Sequence, residues 1–299
     1  MRNIIHALTC GFSRLLKWQT MKYALITGII SIAIWSALGY ILWDQLVYVS
    51  QKILELLPFS MLRSNGAWMI SMFIWFQLVL VTYAVIYALF GNLILQKIKR
   101  DKFASVSLSI VILSALFWAG VWHYESAYIH KEILRFLTWL PFETLESSMA
   151  FLIVLYFLYN GAIVTMLFFS SIFAYPYIES IYEDVSKKHI FKSISYTIKD
   201  SVMFLILSLL LIAVLFIPIL NILVQIVLWT WLVKDTVSHD ALYLSQIGEN
   251  EMILKDHKMA IYMISIVGVL FNFVPILNIV GPFFTQISMF EYFRQKRKS

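Results

Sequence analysis

The sequence predicts an all-α membrane protein, a polytopic helix bundle with four transmembrane helices and two helical hairpins that each turn at a proline and an asparagine. Hydrophobic residues occupy 61% of the 299 positions and charged residues only 13%, so polar surface is too scarce to cover a water-soluble globule. The sequence also contains four apolar segments, which predict the four spans, and two longer apolar blocks with a shared proline motif, which predict the two hairpins. Lipid is therefore expected to solvate much of the chain.

Four segments are long enough to cross a membrane. A hydrocarbon layer of about 30 Å requires about 20 apolar residues in a helix, and the segments 23–43, 67–95, 103–122 and 149–174 meet this length. Backbone polar groups inside lipid must bond within the protein, which restricts a span to a helix or a closed barrel. Because the segments lack a strict two-residue alternation of apolar and polar residues, we expect four helices.

Basic residues are unevenly distributed between these segments. They precede the first span, follow the second and close the chain: Arg2, Arg14, Lys17, Lys22, Lys97, Lys99, Arg100, Lys102, Arg294, Lys296, Arg297 and Lys298. By the positive-inside rule, both termini are expected in the cytoplasm, which requires an even number of crossings. The net charge of +6 comes from short clusters rather than a continuous basic face, so no nucleic-acid partner is expected.

The apolar block 201–233 is too long for one crossing and too short for two crossings with a turn. As one helix it would run about 50 Å at about 1.5 Å per residue. Pro218 and Asn221 lie near its midpoint, where proline removes an amide donor and asparagine tolerates turn geometry. We therefore expect a hairpin with two arms of about 15 residues, each reaching about 23 Å. Whether such a hairpin crosses fully or re-enters stays open.

A second block, 259–290, carries the same motif. Phe-Ile-Pro-Ile-Leu-Asn-Ile at 216–222 is matched by Phe-Val-Pro-Ile-Leu-Asn-Ile at 273–279, with six of seven positions identical. Chance similarity among the aliphatic residues is the alternative, but the shared proline and asparagine favour a second hairpin that turns at Pro275. Paired helix-breaking segments in corresponding positions are typical of membrane transport sites.

These elements predict a single integral membrane domain over 1–299. It would contain a span-loop-span unit at 1–100, a second such unit at 101–189, a first hairpin at 190–247 and a second hairpin at 255–293. The two span-loop-span units share a Leu-Pro-Phe triplet at 57–59 and 140–142, which favours an internal duplication. Composition bias is the alternative explanation.

Three landmarks occur together in one known family. They are Gly-Phe-Ser-Arg-Leu-Leu at 11–16, Ala-Tyr-Pro-Tyr-Ile-Glu-Ser-Ile-Tyr-Glu-Asp-Val at 174–185, and the two Pro-Ile-Leu-Asn hairpins with Pro282 as a later proline. The chain resembles the CysZ-type sulfate permeases, which share a domain with the etoposide-induced membrane proteins. The resemblance covers residues 149–293 and the first 45, and the chain departs from it by an extra span pair in between. The resemblance implies that Pro176 of this chain precedes an acidic, amphipathic helix.

The resemblance implies a location and an activity. Family members are multi-pass proteins of the bacterial inner membrane that admit sulfate for cysteine synthesis, through oligomers whose hairpins dip into the bilayer. It also implies an anion site formed by glycine and arginine near the first span, which would place Gly11, Ser13 and Arg14 at the anion. Simple anchoring of the cytoplasmic end is the alternative role for Arg14.

The hairpins offer the second candidate site for an anion. Asn221 and Asn278 lie in the first turns of the returning arms, where unpaired N–H groups and the helix dipole attract negative charge. Their side chains either cap the broken backbone or donate amide hydrogens to a passing solute. Gln225 lies one helical turn after Asn221 and either lines the path or bonds between helices.

Enzymatic and cofactor chemistry find no support in the sequence. The six histidines are never three or four positions apart, and the single cysteine, Cys10, excludes a cysteine-based metal site. Nucleotide-binding and serine-hydrolase motifs are absent. We therefore expect no enzyme activity, no metal and no cofactor. The charged group formed by Lys234, Asp235, His239 and Asp240 is interpreted as solvated surface in a cytoplasmic link.

The prediction for function is a membrane permease or channel for a small oxyanion such as sulfate. Its expected partners are membrane lipid, the anion and further copies of the chain in a homo-oligomer. The alternative is an integral membrane scaffold or assembly factor that conducts nothing. Short loops and the lack of a sizeable extramembrane segment are mildly unfavourable to that alternative.

Overall fold

The computed structural model describes residues 2–55, 75–76, 78–82, 85–86, 103–139, 145–186, 190–211, 214, 217, 220–245, 251–274 and 277–298. Within these residues the regular structure is entirely helical, which confirms the all-α prediction. The helices are α1 (Arg2–Leu15), α2 (Trp18–Ile41), α3 (Trp43–Glu55), α4 (Phe103–Trp139), α5 (Leu145–Glu179), α6 (Ile190–Leu210), α7 (Leu220–Leu244), α8 (Glu251–Asp256), α9 (Lys258–Leu270) and α10 (Gly281–Lys298). Two short 3-10 turns, Phe271–Phe273 and Leu277–Ile279, separate α9 from α10.

Among the described residues, three helical stretches are long and apolar enough to cross a membrane: Trp18–Ile41, Ala150–Glu179 and Leu220–Leu244. The first two correspond to the predicted spans 23–43 and 149–174. The predicted span 103–122 lies within α4. Most of the predicted span 67–95 lies outside the described residues, and its described positions are helical.

The two sides of helix α2 differ in residue size, as expected of a lipid-facing helix. Its buried side consists of small residues: Thr20, Ala24, Thr27, Gly28, Ser31 and Gly39. Large apolar side chains face outward, including Ile29, which is 65% exposed. A water-soluble helix would show the opposite pattern, whereas small residues allow close helix packing in lipid and large ones face the acyl chains.

Helix α4 is 37 residues long and bends near its middle. Glu125 leaves helical geometry, with φ of −109° and ψ of 15°. In the same part of the chain, the indole N–H of Trp118 donates to the hydroxyl of Thr82 at 2.9 Å. That bond joins α4 to the predicted span 67–95.

The block 201–233 is broken as predicted, but its arms are longer than expected. Helix α6 ends at Leu210 and α7 begins at Leu220, while Pro218 itself lies outside the described residues. The arms have 21 and 25 residues, so the predicted length of about 15 is wrong. Both helices continue beyond the apolar block, and α7 includes the charged residues at 234–240 because several of them are buried or paired.

Pro176 does not precede an amphipathic helix. It lies inside α5, which ends at Glu179, and residues 180–186 form a turn and irregular backbone. Proline lacks the N–H group for the helical bond four residues back and clashes with that carbonyl, which agrees with the end of α5 three residues after Pro176. The expectation drawn from the family resemblance is therefore wrong at this position.

The chain divides into two compact units. The first comprises Met1–Val49, Ile153–Ile212 and Leu223–Ser299, and the second comprises Ser50–Leu152 and Ala213–Ile222. Helix α10 forms the centre of the first unit, because its residues 281–293 are buried on every face. Glycines bring the neighbouring helices close to it: a Cβ on Gly11 of α1 would lie 1.9 Å from the hydroxyl oxygen of Ser288.

Candidate solute-binding site

The break between α9 and α10 is buried inside the first unit. Asn272 and Asn278, one in each 3-10 turn, are 2% and 7% exposed. The backbone is held by local bonds, in which the N–H of Val274 donates to Phe271 and the N–H of Asn278 donates to Val274. Non-helical backbone at such depth is tolerated only inside protein or along a wet cavity. Pro275 lies outside the described residues.

A tyrosine from α5 connects the two sides of this break. The hydroxyl of Tyr159 donates to the backbone carbonyl of Asn272. It also lies beside the side chain of Asn278. The asparagine predicted to carry solute therefore contacts Tyr159, a residue that the sequence analysis did not single out.

Asn272 presents a buried polar group that the protein leaves unused. Its side-chain oxygen Oδ1 has no hydrogen-bond partner although the residue is 2% exposed. It lies at the start of α10, since a Cβ on Gly281 would lie 3.2 Å from this oxygen. The first N–H groups of a helix lack partners within the helix. Unused polar groups of this kind are rare in buried sites and call for a ligand or a water.

Gln225 belongs to a different and fully occupied network. Its Oε1 accepts from the hydroxyl of Tyr156 at 2.9 Å, and its Nε2 donates to Oδ1 of Asn160 at 3.1 Å. The indole N–H of Trp229 donates to the same Asn160 oxygen at 2.8 Å. Asn160 completes its bonds by donating to the backbone carbonyl of Tyr156 at 2.8 Å. This network holds α5 and α7 together, so the structure gives Gln225 a packing contact.

In the predicted anion site near the N-terminus, Arg14 is also engaged in contacts within the protein. Arg14 donates to the backbone carbonyl of Ile181 at 3.1 Å and to the Cys10 sulfur at 3.2 Å, and its guanidinium lies 4.2 Å from the ring centre of Tyr182. Burial alone would lower the pKa of Arg14, but the bond to Cys10 and the nearby Tyr182 raise it above its ordinary value. These contacts fasten α1 to the chain after α5.

Gly11 and Ser13 have separate surroundings. Gly11 is buried against Ser288 of α10. Ser13 is exposed, and its hydroxyl donates to the carbonyl of Cys10 at 2.9 Å. The structure thus places Gly11 at a helix contact and directs Ser13 outward, and it does not bring both beside Arg14 around a common space.

Asn221 belongs to the second unit. It is 8% exposed, and its Oδ1 accepts from the N–H of Ile222 at 2.7 Å. Its own N–H donates to the carbonyl of Ile217 at 3.0 Å. These bonds order the start of α7, and a role of Asn221 in binding solute stays a prediction.

Asp240 overturns the interpretation of the 234–240 patch as solvated surface. It is 2% exposed, and its Oδ2 accepts from the hydroxyl of Ser171 and from the amide of Gln286, each at 2.6 Å. Lys234 and Asp235 do form a partly exposed ion pair at 2.6 Å. The prediction failed because α7 continues about three turns past the apolar block, to Leu244, and Asp240 lies on its buried side.

The sequence analysis did not single out Tyr159, Asn160 or Ser171, and it assigned Asp240 to the solvated surface. One signal for Asp240 was present. Gln225, Trp229, Thr236 and Asp240 fall within about 60° of one another at about 100° per residue, and all four are buried on α7. A polar stripe of this kind marks the inward face of a membrane helix.

One of the comparisons with known proteins identifies a family. Residues 102–282 match the family described as sulfate transporter CysZ/etoposide-induced protein 2.4. The match includes α4 through α9 and ends at the first turn of α10, so it contains the break at Asn272 and Asn278 and the buried Asp240. It does not reach the motif at 11–16, where the resemblance stays a prediction. No curated protein and no solved structure matches the chain. With more than half of its length matched, the chain is a membrane protein that belongs to the sulfate transporter CysZ/etoposide-induced protein 2.4 family.

Proposed function

We propose that this protein is a permease for a small oxyanion, with sulfate as the leading candidate, and that the solute passes the break between α9 and α10. The observation that carries the proposal is the unpartnered Asn272 oxygen at the start of α10. An asparagine amide offers two N–H donors as well as its oxygen. Rotation of the amide would direct those donors at a solute beside the helix start.

The electrostatics of the break favour a negative solute. A helix N-terminus carries about half a positive charge and presents unpaired N–H groups. Tyr159, Asn272 and Asn278 add neutral groups. Conduction requires binding that is favourable enough for entry and weak enough for release. The helix start and the side-chain amides of Asn272 and Asn278 would supply donors of this kind without a fixed positive charge.

The proposal extends to location and assembly. The protein would lie in the bacterial cytoplasmic membrane with both termini on the cytoplasmic side, as the basic clusters favour. It would act as a homo-oligomer and catalyse no reaction. Family membership supports transport of an oxyanion, and the alternative of a scaffold that conducts nothing is decided by the following measurement.

Uptake of radiolabelled sulfate by proteoliposomes tests the proposal. We expect saturable uptake above that of protein-free liposomes, with competition by other tetrahedral dianions such as selenate and thiosulfate, because N–H donors around one site recognise that shape and charge. Chloride at the same ionic strength should compete poorly. Uptake equal to that of protein-free liposomes, from protein that unfolds cooperatively in detergent, would support the scaffold instead.

A further inference from the structure

The bend of α4 borders an aromatic pocket in the second unit. The pocket has a volume of about 390 Å³, and two parts of the chain line it. Trp75 and Leu78 line it from the predicted span 67–95, at positions that are helical. Helix α4 supplies a stripe of residues at helical spacing, which are Trp118, Val121, Trp122, Glu125, Tyr128 and Ile129. None of these residues belongs to the break between α9 and α10.

The lining of this pocket favours a cation that carries apolar surface. Seven of the eight described lining residues are aromatic or aliphatic, and they include three tryptophans and one tyrosine. The face of an aromatic ring attracts a cation, and tryptophan does so most strongly. The eighth residue is Glu125, which the ion pairs of the described residues do not include. An anion such as sulfate would be repelled here.

An ammonium group fits this lining better than a metal ion. Divalent cations such as calcium require several oxygen ligands, whereas the described lining offers one carboxylate and one phenol. An ammonium group can pack against the ring faces and donate its N–H groups to a single carboxylate. The volume also lies in the range of pockets that hold small organic groups.

The predicted topology places the pocket in the outer headgroup layer of the membrane. Basic residues at 97–102 predict cytoplasmic ends for the adjoining spans 67–95 and 103–122. The α4 residues of the pocket lie at the opposite end of 103–122, and Trp75 lies in the first third of 67–95. Tryptophans are common at this depth as separate interfacial anchors. Anchoring alone requires neither a shared cavity nor a carboxylate within it.

We propose that this pocket binds the ammonium headgroup of phosphatidylethanolamine from the outer leaflet. The tryptophan rings and Tyr128 would surround the ammonium group, and Glu125 would accept its N–H bonds. Glu125 is also the residue at which α4 leaves helical geometry, so the bend and the carboxylate coincide at the pocket. A bound headgroup would link α4 to the helical residues at 75–78. This proposal is independent of the proposed anion transport.

Two pairs of matched variants on α4 test the pocket. Tyr128→Leu removes a lining ring, and Tyr124→Leu removes the same ring one turn earlier, outside the lining. Glu125→Gln removes the carboxylate of the pocket, and Glu132→Gln removes a carboxylate that pairs with Arg135 at 3.7 Å. All four side chains are exposed or partly exposed, so the four variants are expected to fold.

The native protein and the four variants are freed of lipid in detergent and titrated with phosphatidylethanolamine, while the midpoint of thermal unfolding is followed. Phosphatidylethanolamine should raise the midpoint of the native protein, because a ligand of the folded state stabilises it. The half-saturating concentration should increase about 3- to 30-fold in Glu125→Gln and in Tyr128→Leu, and it should stay unchanged in the two control variants.

Phosphatidylglycerol with the same acyl chains reports binding that needs no ammonium group, and its half-saturating concentration should be equal in all five proteins. Free ethanolamine at the concentration of the lipid should leave the midpoint unchanged. An identical response of all five proteins to phosphatidylethanolamine would overturn the proposal, and so would weaker binding of both lipids in the two pocket variants. An equal effect of free ethanolamine would assign the pocket to a soluble ammonium compound and overturn the lipid as its occupant.

Discussion

Replacement of Gly268 by alanine is expected to lower the free energy of unfolding by about 2 to 4 kcal/mol. A Cβ at this position would lie 1.8 Å from Oγ1 of Thr285 and 3.0 Å from its Cβ, so the Thr285 side chain or one of the two helices must shift. The Thr285 hydroxyl donates to the carbonyl of Gly281 at 2.9 Å, so moving it breaks a bond at the start of α10. Thermal and denaturant unfolding in detergent measure the loss.

Gly120 supplies the matched control for this substitution. It is also helical, but nothing lies within 4 Å of the Cβ that alanine would add. Alanine there should be neutral or stabilise by up to about 1 kcal/mol, as expected for a helix interior. A second variant, Gly268→Ala with Thr285→Ala, should recover part of the stability. Equal stability of Gly268→Ala and Gly120→Ala would show that α9 and α10 do not pack this closely.

Replacement of Asn272 by leucine is expected to reduce sulfate uptake by about 10- to 100-fold, because a hydrogen bond to a charged group contributes about 1.5 to 3 kcal/mol. Leucine has a similar volume but no amide. Since Oδ1 of Asn272 has no partner in the protein, the substitution breaks no bond at that atom. The unfolding midpoint should therefore stay the same or rise while initial uptake collapses.

Asn160→Leu is the corresponding control, because that asparagine is fully bonded. Its removal leaves the donors of Gln225 and Trp229 without an acceptor, at a cost of about 1 to 3 kcal/mol. Stability should fall, whereas uptake per folded molecule should fall much less than in Asn272→Leu. If Asn272→Leu transports sulfate normally, its amide does not contact the solute.

The hydrophobic pattern was sufficient to predict helices and their breaks. Prolines at the centre of two apolar blocks identified where helix could not continue, and the chain leaves helix between Leu210 and Leu220 and between Leu270 and Gly281. Arm lengths were not predictable from hydropathy, because α6 and α7 extend through polar residues. Those residues are stabilised by partners on other helices, such as Gln286 for Asp240, which no local pattern reveals.

The candidate site was predicted only in part for a similar reason. Asn278 was identified from its motif, and it lies at the break with Tyr159. Asn272, three residues before Pro275, could not be predicted in the same way, since sequence cannot tell a bonded asparagine from an unpartnered one. Of the two roles expected for Gln225, the structure shows the bond between helices, through its contacts with Tyr156 and Asn160.

Helix α10 illustrates how a central helix can be overlooked. Its sequence contains threonine, glutamine, serine and glutamate within apolar residues, so hydropathy alone does not identify it as a buried helix. In the structure Thr285, Gln286, Ser288 and Glu291 are all buried. Gly11 and Gly268 let α1 and α9 pack closely against α10. That both glycines face α10 is visible only in the folded structure.

Reaction of a cysteine at position 272 with an anionic, water-soluble thiosulfonate reagent tests most directly whether solute reaches the break. The variant Asn272→Cys is made in a Cys10→Ser background, with Ile29→Cys on the outward face of α2 as the control. We expect position 272 to react and sulfate to slow the reaction, because reagent and sulfate would share one path, while position 29 stays unreactive in lipid. A cysteine at 272 that does not react, or that reacts equally fast with and without sulfate, would contradict a solute path through the break between α9 and α10.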